Sequence, residues 1–405
     1  MACHAREISG DVAARATKRT TTAATKFAEI NATVGVKHET RGPCQNGCEQ
    51  QALSSAAGLA NLHHDPTSVT TMKANRSLAV PLVVRLVAAL AVFSAGAERA
   101  AAQEFSLYTG PLTGEHSHSY SWAMDYTEGL GEYFAGTFTW LNEGHVPDHH
   151  RDGPLVQLWA RYPLLQRRVV FAVGVGPYRY FDTEAAEQDQ GYSNTHGWGV
   201  VYSARATWYS AHRWTANLQV NHVQVSNGPS TTAILLGIGY QLDGPDTPGP
   251  RDFALPRTQK VTNNEVTVMA GATILNSLES QTSAAEQIEY RRGLTRYVDA
   301  TIGYLHEGSG ITARRDGATA QLWFTRAFFD EHLSLGVGAG LYAAIHHGDS
   351  DDERDTGDGI LSGLLSVSAA YRVTQHWSAR VTWNRVMTRY SRDTDVIMGG
   401  IGYRF

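Results

Sequence analysis

The feature that most constrains this chain is an internal match at nearly constant spacing. Leu141-Asn142-Glu143-Gly144 pairs with Leu305-His306-Glu307-Gly308, Arg151-Asp152-Gly153 with Arg315-Asp316-Gly317, and Gln157-Leu158-Trp159 with Gln321-Leu322-Trp323, all 164 residues apart. Trp214 and Trp377, and Asn221 and Asn384, lie 163 apart. The stretch 233–242 (AILLGIGYQL) also returns at the end of the chain as 396–405 (VIMGGIGYRF). Whatever one half folds into, the other is expected to fold into as well, so the architecture is that of two tandem repeats.

Within the first copy, strand-like runs fall near residues 104–110, 119–127, 132–141, 154–162, 168–181, 197–209, 214–225 and 231–242. The breaks at 128–131, 163–167 and 210–213 are short, whereas those at 111–118, 142–153 and 182–196 are long and polar. Read with a period of two, Trp214, Ala216, Leu218 and Val220 share one face, and Thr215, Asn217, Gln219 and Asn221 the other. Tyr202, Ala204, Ala206 and Trp208 separate from Ser203, Arg205 and Thr207 in the same way. An apolar exterior, a polar interior and alternating short turns and long loops are the pattern of a bacterial transmembrane β-barrel. Trp208, Trp214, Trp377 and Phe405 stand beside short turns, where an aromatic girdle belongs. A soluble sandwich has neither the long-short rhythm nor a polar core.

The fold class expected is therefore all-β, an antiparallel transmembrane barrel of about 16 strands, eight from each repeat. A Pro/Gly-rich stretch, 243–263, separates the repeats at 103–242 and 264–405. We expect one sixteen-stranded barrel with 243–263 as a periplasmic loop, a closed sheet having no edges. The alternative is a pair of eight-stranded barrels, in whose narrow interiors Ala172, Gly174, Gly176, Gly237 and Gly239 would leave room for larger neighbours. The last ten residues place Ile397, Gly399, Ile401, Tyr403 and Phe405 on one face. That pattern resembles the terminal strand of Gram-negative outer-membrane β-barrel proteins, and the resemblance implies recognition of Phe405 by the outer-membrane assembly machinery.

The amino-terminal fifth reads differently. Residues 1–71 lack periodicity and are expected to be disordered and to precede the true start, because Met72, Lys73 and Arg76 open a signal peptide. Its apolar run, 78–93, is broken by Arg85, and small residues follow to Ala102, after which cleavage is expected. The run is far short of the roughly 20 apolar residues of a membrane helix. All three cysteines, Cys3, Cys44 and Cys48, lie in the discarded part, and half a zinc motif is no site. A net charge of -5 without a basic block argues against nucleic acid as a partner.

The stretch 221–228 (NHVQVSNG) resembles the seventh strand of the lipid A 3-O-deacylase (acyloxyacyl hydrolase) barrels. The resemblance implies Ser226 as nucleophile with a histidine base. Here Gln224 stands at the base's position, and His222 is four residues from Ser226, about 13 Å along a strand. Catalysis is therefore not expected of Ser226 and His222, although His196 opens the preceding strand at the same end. Arg385 and Arg389 occupy the matching places in the second copy and are expected to face outward near the rim, suited to lipopolysaccharide phosphates. His145, His149 and His150 in the loop 142–153 could hold a metal, but the second copy keeps only the acidic residue and Arg315-Asp316-Gly317. Glu143 with Arg151, and Glu307 with Arg315, are expected to brace the strand tops. The acidic loop 349–358 lacks the regular spacing of a calcium motif. Asp125 with Arg205, and Glu289 with Arg380, have inward parity and are expected to pair across the interior.

No cofactor is expected. The function read from the sequence is a protein of the cell outer membrane with a structural or surface role, in contact with outer-membrane lipids and lipopolysaccharide. The alternatives are a lipid A or phospholipid acyl hydrolase and a passive diffusion pore.

Overall fold

The structure is a computed structural model and describes residues 103–114, 117–146, 149–185, 191–242, 249–250, 260–308, 315–347 and 361–405. The expectations for residues 1–102, most of 243–263 and the acidic loop 349–358 lie outside these residues. Sixteen strands follow one another. The first eight are β1 (Gln103–Gly114), β2 (Ser117–Gly129), β3 (Phe134–Val146), β4 (His149–Leu164), β5 (Val169–Ala185), β6 (Tyr192–Tyr209), β7 (Trp214–Val225) and β8 (Thr231–Gln241). The second eight are β9 (Glu265–Leu275), β10 (Thr282–Gly293), β11 (Val298–His306), β12 (Arg315–Phe328), β13 (Leu333–His347), β14 (Leu361–Arg372), β15 (Trp377–Met387) and β16 (Thr394–Arg404).

The expectation of a single sixteen-stranded barrel is corrected here. Each set of eight closes on itself: β8 pairs with β1 through Tyr108–Gly237 and Ser106–Gly239, and β16 pairs with β9 through Met398–Gly271 and Gly400–Met269. Two barrels result, every pairing antiparallel and, apart from the two closures, between sequence neighbours. The physical reason lies in the lumen, because an eight-stranded barrel is just wide enough for side chains to fill it. A Cβ on Gly174 would stand 2.5 Å from the Trp159 ring, one on Gly237 2.4 Å from the Tyr108 ring, and one on Gly338 2.5 Å from the Trp323 ring. These glycines exist so that a large side chain can cross the lumen above them.

Both barrels are inside out relative to a soluble protein. Leu158, Val173, Leu236 and Ile238 on the first, and Val268, Ile302, Val381 and Ile401 on the second, are exposed on the outer wall. Thr215, Asn217, Gln219 and Asn221 are buried inside. With no water in the hydrocarbon to bond an unpaired backbone, only a closed barrel lets such strands cross a bilayer. Trp208, Trp214, Trp377 and Phe405 are all exposed beside short turns, as expected of a girdle. The matched halves also match in detail. Leu165, Gln166 and Arg167 turn with φ of 50°, 55° and 68°, and Phe329, Asp330 and Glu331 do so with 53°, 54° and 65°. Trp159 Nε1 donates to Thr137 Oγ1 at 3.0 Å, and Trp323 Nε1 to Thr301 Oγ1 at 3.0 Å.

The barrels touch along a seam between unlike faces. Trp383 on β15 packs against Trp140 on β3, ring centroids 4.4 Å apart, and against Trp122 on β2 at 6.3 Å. Near the loop end Arg385 donates to both oxygens of Asp152 on β4, at 3.0 and 2.7 Å, and to both of Asp395 on β16, at 2.6 and 2.9 Å. His196 Nε2 lies 2.6 Å from Asp393 Oδ2. At the turn end Arg326 on β12 pairs with Glu128 on β2, and Phe328 approaches Tyr126.

Candidate functional site

The lumens are the first place to look for a solute path. In the first barrel Arg205 pairs with Asp125, as the inward parity of both requires, and donates from Nε to Gln219 Oε1 at 2.6 Å. Its guanidinium lies 4.3 Å from the Trp159 ring centroid and 5.3 Å from that of Tyr108. Toward the loop end, Leu112, Leu141, Leu155, Tyr178, Val201 and Leu235 form a buried cluster. In the second barrel the expected pairing of Glu289 with Arg380 is replaced by two others. Arg291, a strand neighbour, takes Glu289 at 3.1 Å, and Arg380 reaches Glu265 at 2.9 Å. Parity fixes that a charge must find a partner inside, but not which one among several of opposite sign. Arg291 lies 4.4 Å over Trp323, repeating the stack of Arg205 on Trp159.

The braces at the strand tops are present in both barrels. Arg151 donates from Nε and Nη2 to the two oxygens of Glu143 at 2.6 and 2.7 Å, and Arg315 to those of Glu307 at 2.9 and 3.1 Å. Thr231 also donates to Glu143, and Thr394 to Glu307. All four charged residues are buried, and the bidentate fork ties β3 to β4, and the end of β11 to β12, above the hydrophobic cluster.

The candidate catalytic residues do not converge. The Ser226 hydroxyl donates to the Trp198 carbonyl at 3.4 Å, and His222 Nδ1 lies 3.0 Å from Thr232 Oγ1. His196, at the same end of the preceding strand, faces the seam and Asp393. A serine without a base in reach is a poor nucleophile.

The histidines of the expected loop 142–153 stand on strands, because β3 and β4 continue past the braces. His145 and His150 are register partners with ring centroids 4.5 Å apart, and His150 Nε2 lies 3.3 Å from Asn142 Nδ2. His149 faces elsewhere, with Nδ1 3.0 Å from Asp182 Oδ2 and 3.9 Å from Glu184 Oε1. The three histidines are thus split, and among the described residues the ligand atoms within 4.8 Å of one another are those of His149, Asp182 and Glu184. Sequence spacing could not supply Asp182 and Glu184, which sit on β5 and meet His149 only through the β4–β5 register.

The expectation that Arg385 meets lipid headgroups is corrected. It faces outward, but the other barrel covers that face, and both carboxylates of the seam hold it at 4 % exposure. Arg389, beyond the end of β15, is exposed.

No protein-family model matches the chain, and no curated protein matches it. Among solved structures it is similar to the CymD monoaromatic hydrocarbon channel, with 7% identity, a TM-score of 0.22, and coverage of 75% of this chain and 88% of that one. It is also similar to the beta domain of the Bordetella autotransporter BrkA (9% identity, TM-score 0.21, 76% and 100% covered). A third is the translocator domain of the autotransporter NalP from Neisseria meningitidis (10%, 0.19, 80% and 97%). At these identities and scores they bear on neither an activity nor a site.

Proposed function

We propose that this chain is an outer-membrane protein whose two filled barrels serve a structural or surface role. Its location is the cell outer membrane, with the short turns toward the periplasm and the long loops outside. The observation that carries the reading is the filling of both lumens. Arg205 between Trp159 and Tyr108, and Arg291 over Trp323, cross the interior where a solute would have to pass. Removing these plugs would leave buried charges without partners, so they stay in place as structure. Outer-membrane lipids surround the apolar walls. Phe405, 59 % exposed at the chain's end, is the residue offered to the assembly machinery, and Arg389 is the one offered to lipopolysaccharide phosphates.

Planar-bilayer recording of the refolded protein tests this reading. No discrete conductance steps are expected, and steady ohmic steps that disappear with the protein would replace it with a pore.

A further inference from the structure

At the turn end of the second barrel four arginines meet, and the first barrel has an arginine at none of their four places; it carries Arg161 and Arg205 instead, at the places of the cavity-lining Thr325 and Ser368. Arg291 on β10, Arg372 on β14, Arg380 on β15 and Arg404 on β16 line a cavity of about 60 Å³. The register identifies their counterparts. Arg291 and Arg404 are the two neighbours of Glu265 across the ladder, and Thr127 and Gln241 are those of Glu104. Arg380 faces Gly400 as Asn217 faces Gly237, and Arg372 faces Ser378 as Tyr209 faces Thr215. Four uncharged residues of one barrel are four guanidiniums in the other.

The charges at this mouth do not cancel. Lys260 is a fifth cation on the wall, and the carboxylates there are Glu265, Asp299 and Glu331. Five cations against three carboxylates leave an excess of two positive charges, or of one if Glu289 behind Arg291 is counted. Donors are also left over. The Nε atoms of Arg372, Arg380 and Arg404 are buried and make no hydrogen bond, although Arg404 Nε lies 3.6 Å from Glu265. The Arg380 side chain is only 5% exposed. Glu265 cannot serve them all, since it already accepts from Arg380 at 2.9 Å and from Ser378 and Thr267 at 3.1 Å.

Buried N–H donors are costly until an acceptor reaches them, and a guanidinium fork suits the oxygens of a phosphate or carboxylate. The cavity exceeds the roughly 10–15 Å³ that one water needs, yet it is too small for a sugar or a peptide. Inorganic phosphate carries about -1.5 to -2 at neutral pH and a phosphodiester headgroup about -1, so the two span the excess of one to two positive charges. We propose that the turn-end mouth of the second barrel binds a phosphate group, supplied either by free phosphate or by a phospholipid headgroup.

Isothermal titration of the refolded full chain in phosphate-free detergent buffer, with inorganic phosphate in one arm and phosphatidylglycerol micelles in the other, tests the site. Saturable heat in the first arm alone identifies free phosphate, and in the second alone a headgroup. The double variant Arg372→Tyr with Arg404→Gln restores residues that the first barrel already accommodates, and heat-modifiable migration on gels reports whether it folds. Its affinity is expected to fall about tenfold or more, the effect of losing a charge-assisted bond. Absence of saturable heat in both arms with the wild type overturns the proposal, and so does a folded double variant that binds as the wild type does.

Discussion

Arg385 and His222 occupy the same place on matched strands and meet different surroundings. His222 stands on an outer wall with Thr232 beside it, whereas Arg385 is enclosed by Asp152 and Asp395. Removing one member of a buried ion pair strands the others, so Arg385→Met is expected to lower stability by about 3–5 kcal/mol. A fall in the temperature at which heat-modifiable migration is lost would show it; an unchanged temperature would mean that the seam carries no such energy. Ser226→Ala is expected to leave lipid A acylation as it is, because the hydroxyl donates to the Trp198 carbonyl and no base among the described residues is bonded to it. Mass spectra of lipid A in a host making either form decide this. The outward direction of Arg385 was legible in the sequence, and its burial was not, since parity says which side a residue faces and nothing of what covers that side. A usable signal existed: Trp383, Arg385 and Asp395 replace Val220, His222 and Thr232, so the copies differ where one of them is in contact.

The strands themselves were the most readable elements. For β7 the alternation of apolar and polar residues over 214–225 coincides with the observed Trp214–Val225. β4 begins at His149 rather than near 154, because pairing continues through the braces of Glu143 and Arg151 into what composition marks as loop. Charged and histidine-rich residues argue for solvent, and solvent also bathes a strand that rises past the membrane. Packing across the lumen gives an element-level prediction. Gly174→Val would place a branched side chain on the Trp159 ring, and overpacking of this kind costs about 1–3 kcal/mol or prevents closure. Loss of heat-modifiable migration in this variant, with Gly399→Ala as a control whose Cβ would meet only Arg380 O at 3.9 Å, measures it. Just past β16, deletion of Phe405 is expected to impair assembly far more than replacement of Leu242, which other residues follow. Equal losses of folded protein in the two variants would contradict that order.

At the scale of the molecule, the matched halves implied equal folds and left closure open, because two eight-stranded sheets and one of sixteen satisfy the backbone equally. What decided it was volume, with glycines under Trp159, Tyr108 and Trp323 adjusting each lumen to its contents. Since each barrel completes its own ladder, the two halves made as separate exported chains, cut within 243–263, are expected each to show heat-modifiable migration. Failure of both halves, with the intact chain folding normally, would mean that closure depends on the partner. The seam has a further consequence. Its tryptophan and arginine part joins β15 and β16 of one barrel to β2, β3 and β4 of the other, and a joint between unlike faces has a head and a tail. Repeated from copy to copy, such a joint builds an open row. Here the spare head carries Val220, His222 and Thr232, the spare tail carries Glu286, Tyr304 and Asp316, and neither offers the tryptophans and the arginine that make the existing joint. The joint between the halves therefore has no second set of these partners through which to repeat.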